Sequence, residues 1–285
     1  MTASLPTRPS SFGTRSKLVL AIAAACIWAI WQLELDFGTL FPDGRRLQIL
    51  QEFFAATISP DLSTEVLDQL ASGVWNTIAY ATAAMALALV AGVILGFFAS
   101  TAWWSGEPNY AADSTSVTHL RRKICAAIYV LARLTIALFR SIHELFWAVI
   151  FLVALGLNPM SGVIAIAIPY ACILAKVFAE MIDEAPREAA VALRGVGASP
   201  MQMYCFGLVP QAVPDMTAYA FYRFECTLRS AAILGFFGLE TLGYFIRLAF
   251  EETLYGQCWT FLYALLALVI AADWWSGAFR RSFVS

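Results

Sequence analysis

Charged residues are scarce in this chain of 285 residues. Asp, Glu, Lys and Arg make up 13% of it, while 60% is hydrophobic and the mean hydropathy is +0.71. A water-soluble globular domain carries roughly 25% charged residues, so the composition excludes that class. The net charge of −2 gives no indication of a nucleic-acid partner. The composition predicts an integral membrane protein that is surrounded by a lipid bilayer.

Residues that bind metals or carry out redox chemistry are also rare. The two histidines are His119 and His143, and the six cysteines are scattered without a CxxC spacing. Isolated cysteines in apolar segments are typical of ordinary packing. The nucleotide-binding sequence G-x-x-x-x-G-K-[ST] does not occur, which excludes ATP hydrolysis by that type of loop. We therefore expect no catalytic residues, no metal and no cofactor bound by this chain.

Six apolar runs are long enough to cross a bilayer, which takes about 20 residues of helix. They predict an all-α fold with about six transmembrane helices. The runs are Leu18–Leu35, Val74–Ala99, Ile124–Leu155, Gly162–Ile182, Thr217–Phe237 and Cys258–Trp275. The third run is overlong and interrupted by charge. The first has no small-residue cleavage site after it, so we expect it to remain as a span.

These runs divide the chain into three parts. Residues 1–73 hold an N-terminal tail, the first transmembrane helix and a polar, partly helical insert that we expect to be periplasmic. Residues 74–276 form the main transmembrane domain, and residues 277–285 form a cytoplasmic tail.

The basic residues between the runs predict the orientation, because they collect on the cytoplasmic side of a membrane. With the N-terminus inside, ten basic residues fall on the cytoplasmic side and two fall outside. The cytoplasmic set is Arg8, Arg15, Lys17, Arg121, Arg122, Lys123, Arg187, Arg194, Arg280 and Arg281, and the outer set is Arg45 and Arg46. Both termini are therefore predicted to be cytoplasmic in a multi-pass inner-membrane protein.

A polar helical hairpin lies between two apolar runs, at residues 186–210. We expect a short helix Pro186–Val196, a turn at Gly197, and a second helix Ser199–Leu208 that ends before Pro210. Glycine gives the turn its backbone freedom, and proline disfavours continuation of the second helix. A structured hairpin of this size beside a membrane favours a docking partner.

The hairpin resembles the coupling loop of ABC importer permeases, which has Glu-Ala-Ala, then a Gly, then a Pro thirteen residues after the Gly. Gly197 and Pro210 keep that spacing, but the family's Glu position falls on Val191. Glu188 lies three residues earlier, nearly one helical turn away, and is a candidate replacement. The resemblance implies that the contacts to an ATPase come from Glu188, Ala189, Ala190, Arg194, Gly197 and Pro210.

Other fragments closely resemble the phosphonate ABC-importer permeases, over roughly residues 74–276. They are Tyr222-Arg223-Phe224-Glu225, Leu228-Arg229-Ser230-Ala231, Leu234-Gly235-Phe236-Phe237-Gly238, Leu242-Gly243, Arg140-Ser141-Ile142, Gly156-Leu157-Asn158-Pro159 and Lys176-Val177-Phe178-Ala179-Glu180. His143 stands where that family usually has Pro, which predicts a straighter helix at this point than in relatives.

This resemblance implies a type I importer fold and a permease subunit that moves a phosphonate, phosphite or hypophosphite by ATP-driven alternating access. The implied partners are two ABC ATPase subunits, a second permease copy or a paralogue, and a periplasmic substrate-binding protein. ATP and Mg would be bound by the ATPase, and the permease itself would not be an enzyme.

Ionisable residues inside the apolar runs are functional candidates, because a charge in a span is costly unless it is paired or hydrated. Four pairs are spaced four residues apart, a spacing that allows contact on one helix face. They are Arg140 and Glu144, Lys176 and Glu180, Glu225 and Arg229, and Arg247 and Glu251. Arg133 and Arg223 have no such partner.

Two interpretations of these charges stay open. They either hold helices together, or line a path for an oxyanion that guanidinium groups recognise well. The pathway candidates are Arg223, Arg229, Glu225, Arg140, Glu144, Lys176 and Glu180, with Arg223 and Arg229 favoured.

The glycines Gly235, Gly238 and Gly243 also have two interpretations. Small residues permit close helix packing, and the resemblance favours an outer gate that faces the binding protein. A different function for the whole chain is an ion-coupled secondary transporter that acts without an ATPase. The paired charges suit it, but the sequence has no internal inverted repeat.

Overall fold

The computed structural model describes residues 14–34, 44–103 and 116–284. The predicted tail with Arg8 and the end of the first apolar run, Leu35, lie outside these residues. All elements of the described part are helical, as the sequence predicted.

The chain divides into two units at Ala55. The first contains α1 (Thr14–Gln32) and α2 (Gly44–Ala55). The apolar stretch of α1, Ser16–Gln32, is shorter than the other candidate spans.

The second unit contains all further helices. A 3₁₀ turn, Ala56–Ile58, precedes α3 (Thr64–Ala99), α4 (Ser116–Ser141), α5 (Glu144–Leu155), α6 (Pro159–Glu184), α7 (Glu188–Gly195), α8 (Pro200–Gln202), a π turn (Met203–Leu208), α9 (Val209–Ile233), a 3₁₀ turn (Leu234–Phe237), α10 (Leu242–Glu251) and α11 (Tyr255–Val284).

The core of this unit lies between α3 and α6. Small residues bring the two helices together: Ala81, Ala84 and Ala88 of α3 are fully buried. Small side chains at helix contacts are characteristic of membrane bundles, where close van der Waals packing replaces the hydrophobic effect. α9 packs on both helices, so three long helices form the centre of the bundle.

Four helices of the described residues are long and apolar enough to cross a membrane, and a bent pair makes a fifth. The four helices that pass this test of length and composition are Thr64–Ala99, Lys123–Ser141, Pro159–Glu184 and Tyr255–Ala278, and the pair is Pro200–Phe237 with Leu242–Glu251, bent by 44°. The predicted count of six stays a prediction, since α1 reaches that length only in part.

The overlong run Ile124–Leu155 is two helices. α4 ends at Ser141 and α5 begins at Glu144, with extended backbone at His143 between them. The helix is therefore broken here without a proline, and the expected difference from relatives stays a prediction. The Nδ1 atom of His143 accepts a hydrogen bond from the Leu145 N–H at 3.3 Å, so His143 caps α5 and satisfies a donor that the break exposes.

The prediction that the second hairpin helix ends before Pro210 was also wrong. Helical structure continues from Pro200 through Pro210 and Pro214 to Ile233. In the π turn the Val209 N–H bonds to the Tyr204 carbonyl, five residues back. An α-helix would press the proline ring against the carbonyl four residues earlier, and the wider π turn shifts that hydrogen-bonding pattern just before the proline.

Candidate functional site

The 186–210 hairpin is fixed by a close contact between its two arms. Ala190 of α7 is buried against Gly207 of the π turn, where an added Cβ would lie 3.0 Å from the Ala190 Cα. Tyr204 and Leu208 are buried beside this contact. The alanines of the Glu-Ala-Ala sequence therefore act differently: Ala190 packs inside the hairpin, and Ala189 is half-buried.

The turn of the hairpin depends on Gly197. Its φ of +85° lies in the region that favours glycine. The Gly197 N–H donates to the Arg194 carbonyl at 2.9 Å, and the Ala198 N–H donates to the Leu193 carbonyl at 3.0 Å. These bonds close the C-terminal end of α7.

Several apolar side chains of the hairpin are exposed. The exposed fractions are 62% for Val191, 82% for Val196, 50% for Met201 and 73% for Phe206. Glu188 and Pro210 are also exposed, and Arg194 is half-buried. Glu188 and Val191 both lie on the accessible side of α7, so the geometry leaves either position available to a partner.

Asp183, close to the end of α6, anchors the base of the hairpin. Its Oδ1 atom accepts hydrogen bonds from the Ser100 hydroxyl at 2.6 Å and from the backbone N–H groups of Thr101 at 2.9 Å and Ala102 at 3.2 Å. The end of α3 is therefore tied to the end of α6. Sequence reasoning missed Asp183, because its partners lie more than 80 residues away.

Arg133 extends this anchor to α4. Its guanidinium lies 3.5 Å from Glu180 Oε1 and 3.7 Å from Asp183 Oδ2, and its Nε donates to the Ala99 carbonyl at 2.9 Å. Lys176 Nζ lies 3.5 Å from the same Glu180 oxygen. Four charges of alternating sign thus join α4 and α6. Arg133 finds its partners on another helix, where a search for neighbours four residues apart cannot detect them.

A second polar group lies deeper in the bundle, where α5, α6 and α9 meet. The Tyr170 hydroxyl is 3.0 Å from Ser230 Oγ, and the Ser230 hydroxyl donates to Glu144 Oε1 at 3.0 Å. Tyr170 and Ser230 are buried. We call Glu144, Ser230 and Tyr170 the Glu144 cluster.

The predicted pair of Arg140 and Glu144 was wrong. The two residues lie on different helices, because α4 ends at Ser141. Glu144 bonds to Ser230 instead, and within the described part of the chain Arg140 is exposed and forms no ion pair.

The other charges of α9 follow the sequence prediction more closely. Arg229 donates to Glu225 Oε1 at 2.8 Å, which confirms that pair. Arg223 Nε donates to the Tyr219 hydroxyl at 2.8 Å, and its guanidinium lies 5.2 Å and 5.7 Å from the ring centres of Tyr219 and Tyr222. No described carboxylate lies within ion-pair distance of Arg223. The cation is held by aromatic rings and a hydroxyl, which leaves its charge uncompensated.

Six of the seven pathway candidates form two groups, and Arg140 belongs to neither. Lys176 and Glu180 belong to the network with Arg133, while Glu144, Arg223, Glu225 and Arg229 lie on or against α9. On α6, Tyr170 and Lys176 are six residues apart, so they point about 120° away from each other. Tyr170 of the Glu144 cluster and Lys176 of the Arg133 network therefore lie on different faces of α6.

The glycine-rich turn lies at the other end of the bundle from the hairpin. Gly235 and Gly243 are buried, and a Cβ at these positions would overlap the Tyr244 nitrogen and the Ala232 carbonyl oxygen, respectively. Gly238 has a φ of +100° and faces Leu157. Close packing accounts for Gly235 and Gly243, and a gating role of this turn stays a prediction.

A cavity of about 560 Å³ lies between α3, α9 and α11. Its lining is apolar, with Met85, Leu89, Phe178, Phe221 and Phe224 among its residues and no charged side chain. An oxyanion would lose its hydration there without gaining a donor, so the cavity is unsuited to one. Among the described residues, no three His, Cys, Asp or Glu side chains form a group that could hold a metal ion.

Comparison with known proteins places the chain in a family. The family model described as "Binding-protein-dependent transport system inner membrane component" matches residues 120–284, more than half of the chain. The chain belongs to this family. It is a multi-pass inner-membrane permease subunit of an ABC importer, which works with an ATPase and a substrate-binding protein and is not itself an enzyme.

The curated relatives include phosphite transport permeases from Stutzerimonas stutzeri. The phosphite transport system permease protein PtxC is 30% identical over 73% of this chain and 69% of its own length. The putative phosphite transport system permease protein HtxE is 34% identical over 51% of this chain and 56% of its own length.

Solved structures share the fold. A chain from the crystal structure of an amino acid ABC transporter with histidines superimposes with a TM-score of 0.61 at 16% identity, and the match covers 76% of this chain and 95% of that chain. At this identity the likeness concerns the fold alone, which is that of an ABC importer permease.

Proposed function

We propose that this permease imports a phosphorus oxyanion, namely a phosphonate, phosphite or hypophosphite. The observation that carries the proposal is the similarity to PtxC, a phosphite permease, over 73% of the chain. The exposed or half-buried cations on α9 fit such a cargo, because the fork of donors in a guanidinium matches the oxygens of a phosphorus acid.

The complex that we propose contains two permease copies, or this chain and a paralogue, with two ATPase subunits and a periplasmic binding protein. Both termini are cytoplasmic in this arrangement, and the 186–210 hairpin lies in a groove of the ATPase. ATP and Mg bind to the ATPase. Closure of the ATPase pair moves the hairpin, and the cavity between the permeases changes its access from the outside to the inside.

The hairpin suits this role because its two arms pack against each other while several of its apolar side chains stay exposed. Val191, Val196, Met201 and Phe206 provide apolar contact area, and Glu188 adds a carboxylate at the start of α7. A partner that buries these side chains gains hydrophobic free energy without having to reorder the hairpin.

Arg223 and Arg229 are our first candidates for contacts with the moving substrate. Arg229 is already bonded to Glu225, so its attraction for an anion is weakened. Weak binding is an advantage in a transport path, since strong binding would slow release. Arg223 keeps more of its charge, and we assign it the larger role.

The test of this function is the ATPase activity of the reconstituted complex, made with its own ATPase and binding protein. Phosphite, hypophosphite, phosphate and an alkylphosphonate are compared. We expect selective stimulation by one phosphorus oxyanion that requires the binding protein. A permease that purifies without an ATPase and takes up its substrate on an ion gradient would instead support a secondary transporter.

The role of Arg223 is tested in the same system. Arg223→Gln should lower substrate uptake while the variant still co-purifies with the ATPase. Arg45→Gln, in the separate helix α2, is the matched control and should transport normally. Uptake at the wild-type rate by Arg223→Gln would remove Arg223 from the pathway.

A further inference from the structure

The Glu144 cluster lies near the middle of α6, a helix that is long and apolar enough to cross a membrane. Tyr170 is the twelfth residue of α6, which runs from Pro159 to Glu184. At 1.5 Å per residue, it lies about 16 Å from one end of the helix and about 21 Å from the other. The hydrocarbon core of a bilayer is about 30 Å thick. The break between α4 and α5 therefore brings a carboxylate to mid-membrane depth.

Glu144 has an acceptor atom without a hydrogen bond. Its Oε1 atom is occupied by Ser230, but no donor of the described residues bonds to Oε2, which lies 3.7 Å from His143 Nε2. The side chain is 25% exposed, so a solute can reach it. An ionised carboxylate accepts several hydrogen bonds, and at this depth an unfilled acceptor is costly.

The surroundings of Glu144 combine this acceptor with cationic charge. The Tyr170 hydroxyl is close enough to interact electrostatically with Glu144, Cys226 and Arg223. The charge of Arg223 therefore acts on Tyr170, and Tyr170 is linked to Glu144 through Ser230. The cluster offers a carboxylate that accepts, and the charge of Arg223 favours an anion nearby.

This arrangement suits one protonation state of phosphite or of a phosphonate. The fully ionised dianion has acceptor oxygens only, so a carboxylate repels it. The monoanion of phosphite or of a phosphonate keeps one P–OH group, which can donate to a carboxylate. A site with such a carboxylate discriminates by the presence of that single proton.

Resting on the importer function proposed above, we infer that the Glu144 cluster is a substrate contact in the translocation path that selects the singly protonated oxyanion. The P–OH group of the passing substrate donates to Glu144 Oε2, and Ser230 and Tyr170 hold the carboxylate in place through Oε1. Glu144 is a specificity residue in this scheme, and Ser230 and Tyr170 are positioning residues.

The experiment is phosphite uptake by the reconstituted complex at pH 6 and pH 8, with binding protein in excess. Wild-type uptake should fall as the pH passes the second pKa of phosphite, because the monoanion disappears. In Glu144→Gln the amide can also donate to the dianion, so the ratio of the two rates should fall by about tenfold, the selectivity of one hydrogen bond to a charged group. Glu251→Gln, at an exposed position of α10, should keep the wild-type ratio.

His143 lies beside Glu144, and an imidazole is a titratable group. His143→Asn preserves a side chain that can cap α5 and removes the imidazole. We expect His143→Asn to retain the pH dependence. If His143→Asn loses it and Glu144→Gln retains it, the imidazole is the titrating group and the inference is overturned.

A further measurement needs no variant and covers the case in which Glu144→Gln fails to assemble. Phosphite and methylphosphonate have different second pKa values, so the pH midpoint of wild-type uptake should move with the substrate. A common midpoint for both would assign the titration to the protein and refute the inference. If the wild-type complex transports no phosphorus oxyanion at all, the proposed function fails first.

Discussion

The two glycine-containing turns of the permease differ in what surrounds them. At the hairpin, Gly197 has open space where a side chain would be, and its neighbours Val196 and Met201 are exposed. At the opposite end, Gly235 and Gly243 are enclosed by the backbone of the chain itself. Gly197 is needed for its φ angle, whereas Gly235 and Gly243 are needed for space. An open turn can receive a partner, whereas a filled turn is part of the bundle's own packing.

The largest effect is expected when the filled turn is given a side chain. In Gly243→Ala the new methyl group overlaps the Ala232 carbonyl oxygen, so the end of α9 and α10 must separate. We expect a destabilisation of about 3 kcal/mol or more, at the upper end for overpacking. The measurement is thermal unfolding of the purified permease in detergent. An unchanged midpoint would mean that this turn is looser than its geometry indicates.

A smaller effect is expected inside the hairpin. In Gly207→Ala the methyl group would lie 3.0 Å from the Ala190 Cα. The contact is tight but α7 is short and can move, so we expect a loss of about 1 to 2 kcal/mol. Because α7 is displaced, ATPase bound per permease should fall more than the unfolding midpoint does. Equal losses of both would show that Gly207 acts through general stability alone.

The open turn itself allows a matched comparison. Gly195 and Gly197 both have free space, but only Gly197 of the two has a positive φ. We expect Gly197→Ala to destabilise the permease by about 1 kcal/mol through backbone strain. Gly195→Ala, at the end of α7, should be neutral or slightly stabilising. Thermal unfolding of the two variants side by side tests this, and identical midpoints would remove the special role of the φ angle.

The smallest effect on stability is expected on the exposed face of α7. Glu188→Gln and Val191→Glu change accessible side chains, so each should alter the free energy of unfolding by no more than about 0.5 kcal/mol. If Glu188 supplies the carboxylate for the ATPase, Glu188→Gln should weaken association and Val191→Glu should restore it in the double variant. Association measured by co-purification decides this. Full binding by Glu188→Gln alone would make that carboxylate dispensable.

Sequence reasoning succeeded where the signal is local. The helical class followed from the apolar runs, and the family followed from fragments such as Leu234-Gly235-Phe236-Phe237-Gly238 and from the spacing of Gly197 and Pro210. Ion pairs four residues apart on one continuous helix are present at Lys176 and Glu180, at Glu225 and Arg229, and at Arg247 and Glu251.

It failed where the outcome depends on backbone detail or on distant partners. The helix break at His143 was not predicted, because a histidine cap, unlike a proline, gives no sequence signal for a break. A π turn let the helix pass Pro210, and no composition rule marks such a turn. The partners of Asp183 and Ser230 come from helices far away in the chain, so tertiary structure was needed to find both polar groups.

The break between α4 and α5 is a point where the angle between two helices can change without loss of an α-helical hydrogen bond. On one side of it, the Arg133 network ties α4 to the ends of α3 and α6 beside the hairpin. No α-helical hydrogen-bond ladder continues through Ile142 and His143. A displacement of α4 by the hairpin would therefore bend the chain at the point where Glu144 enters the bundle.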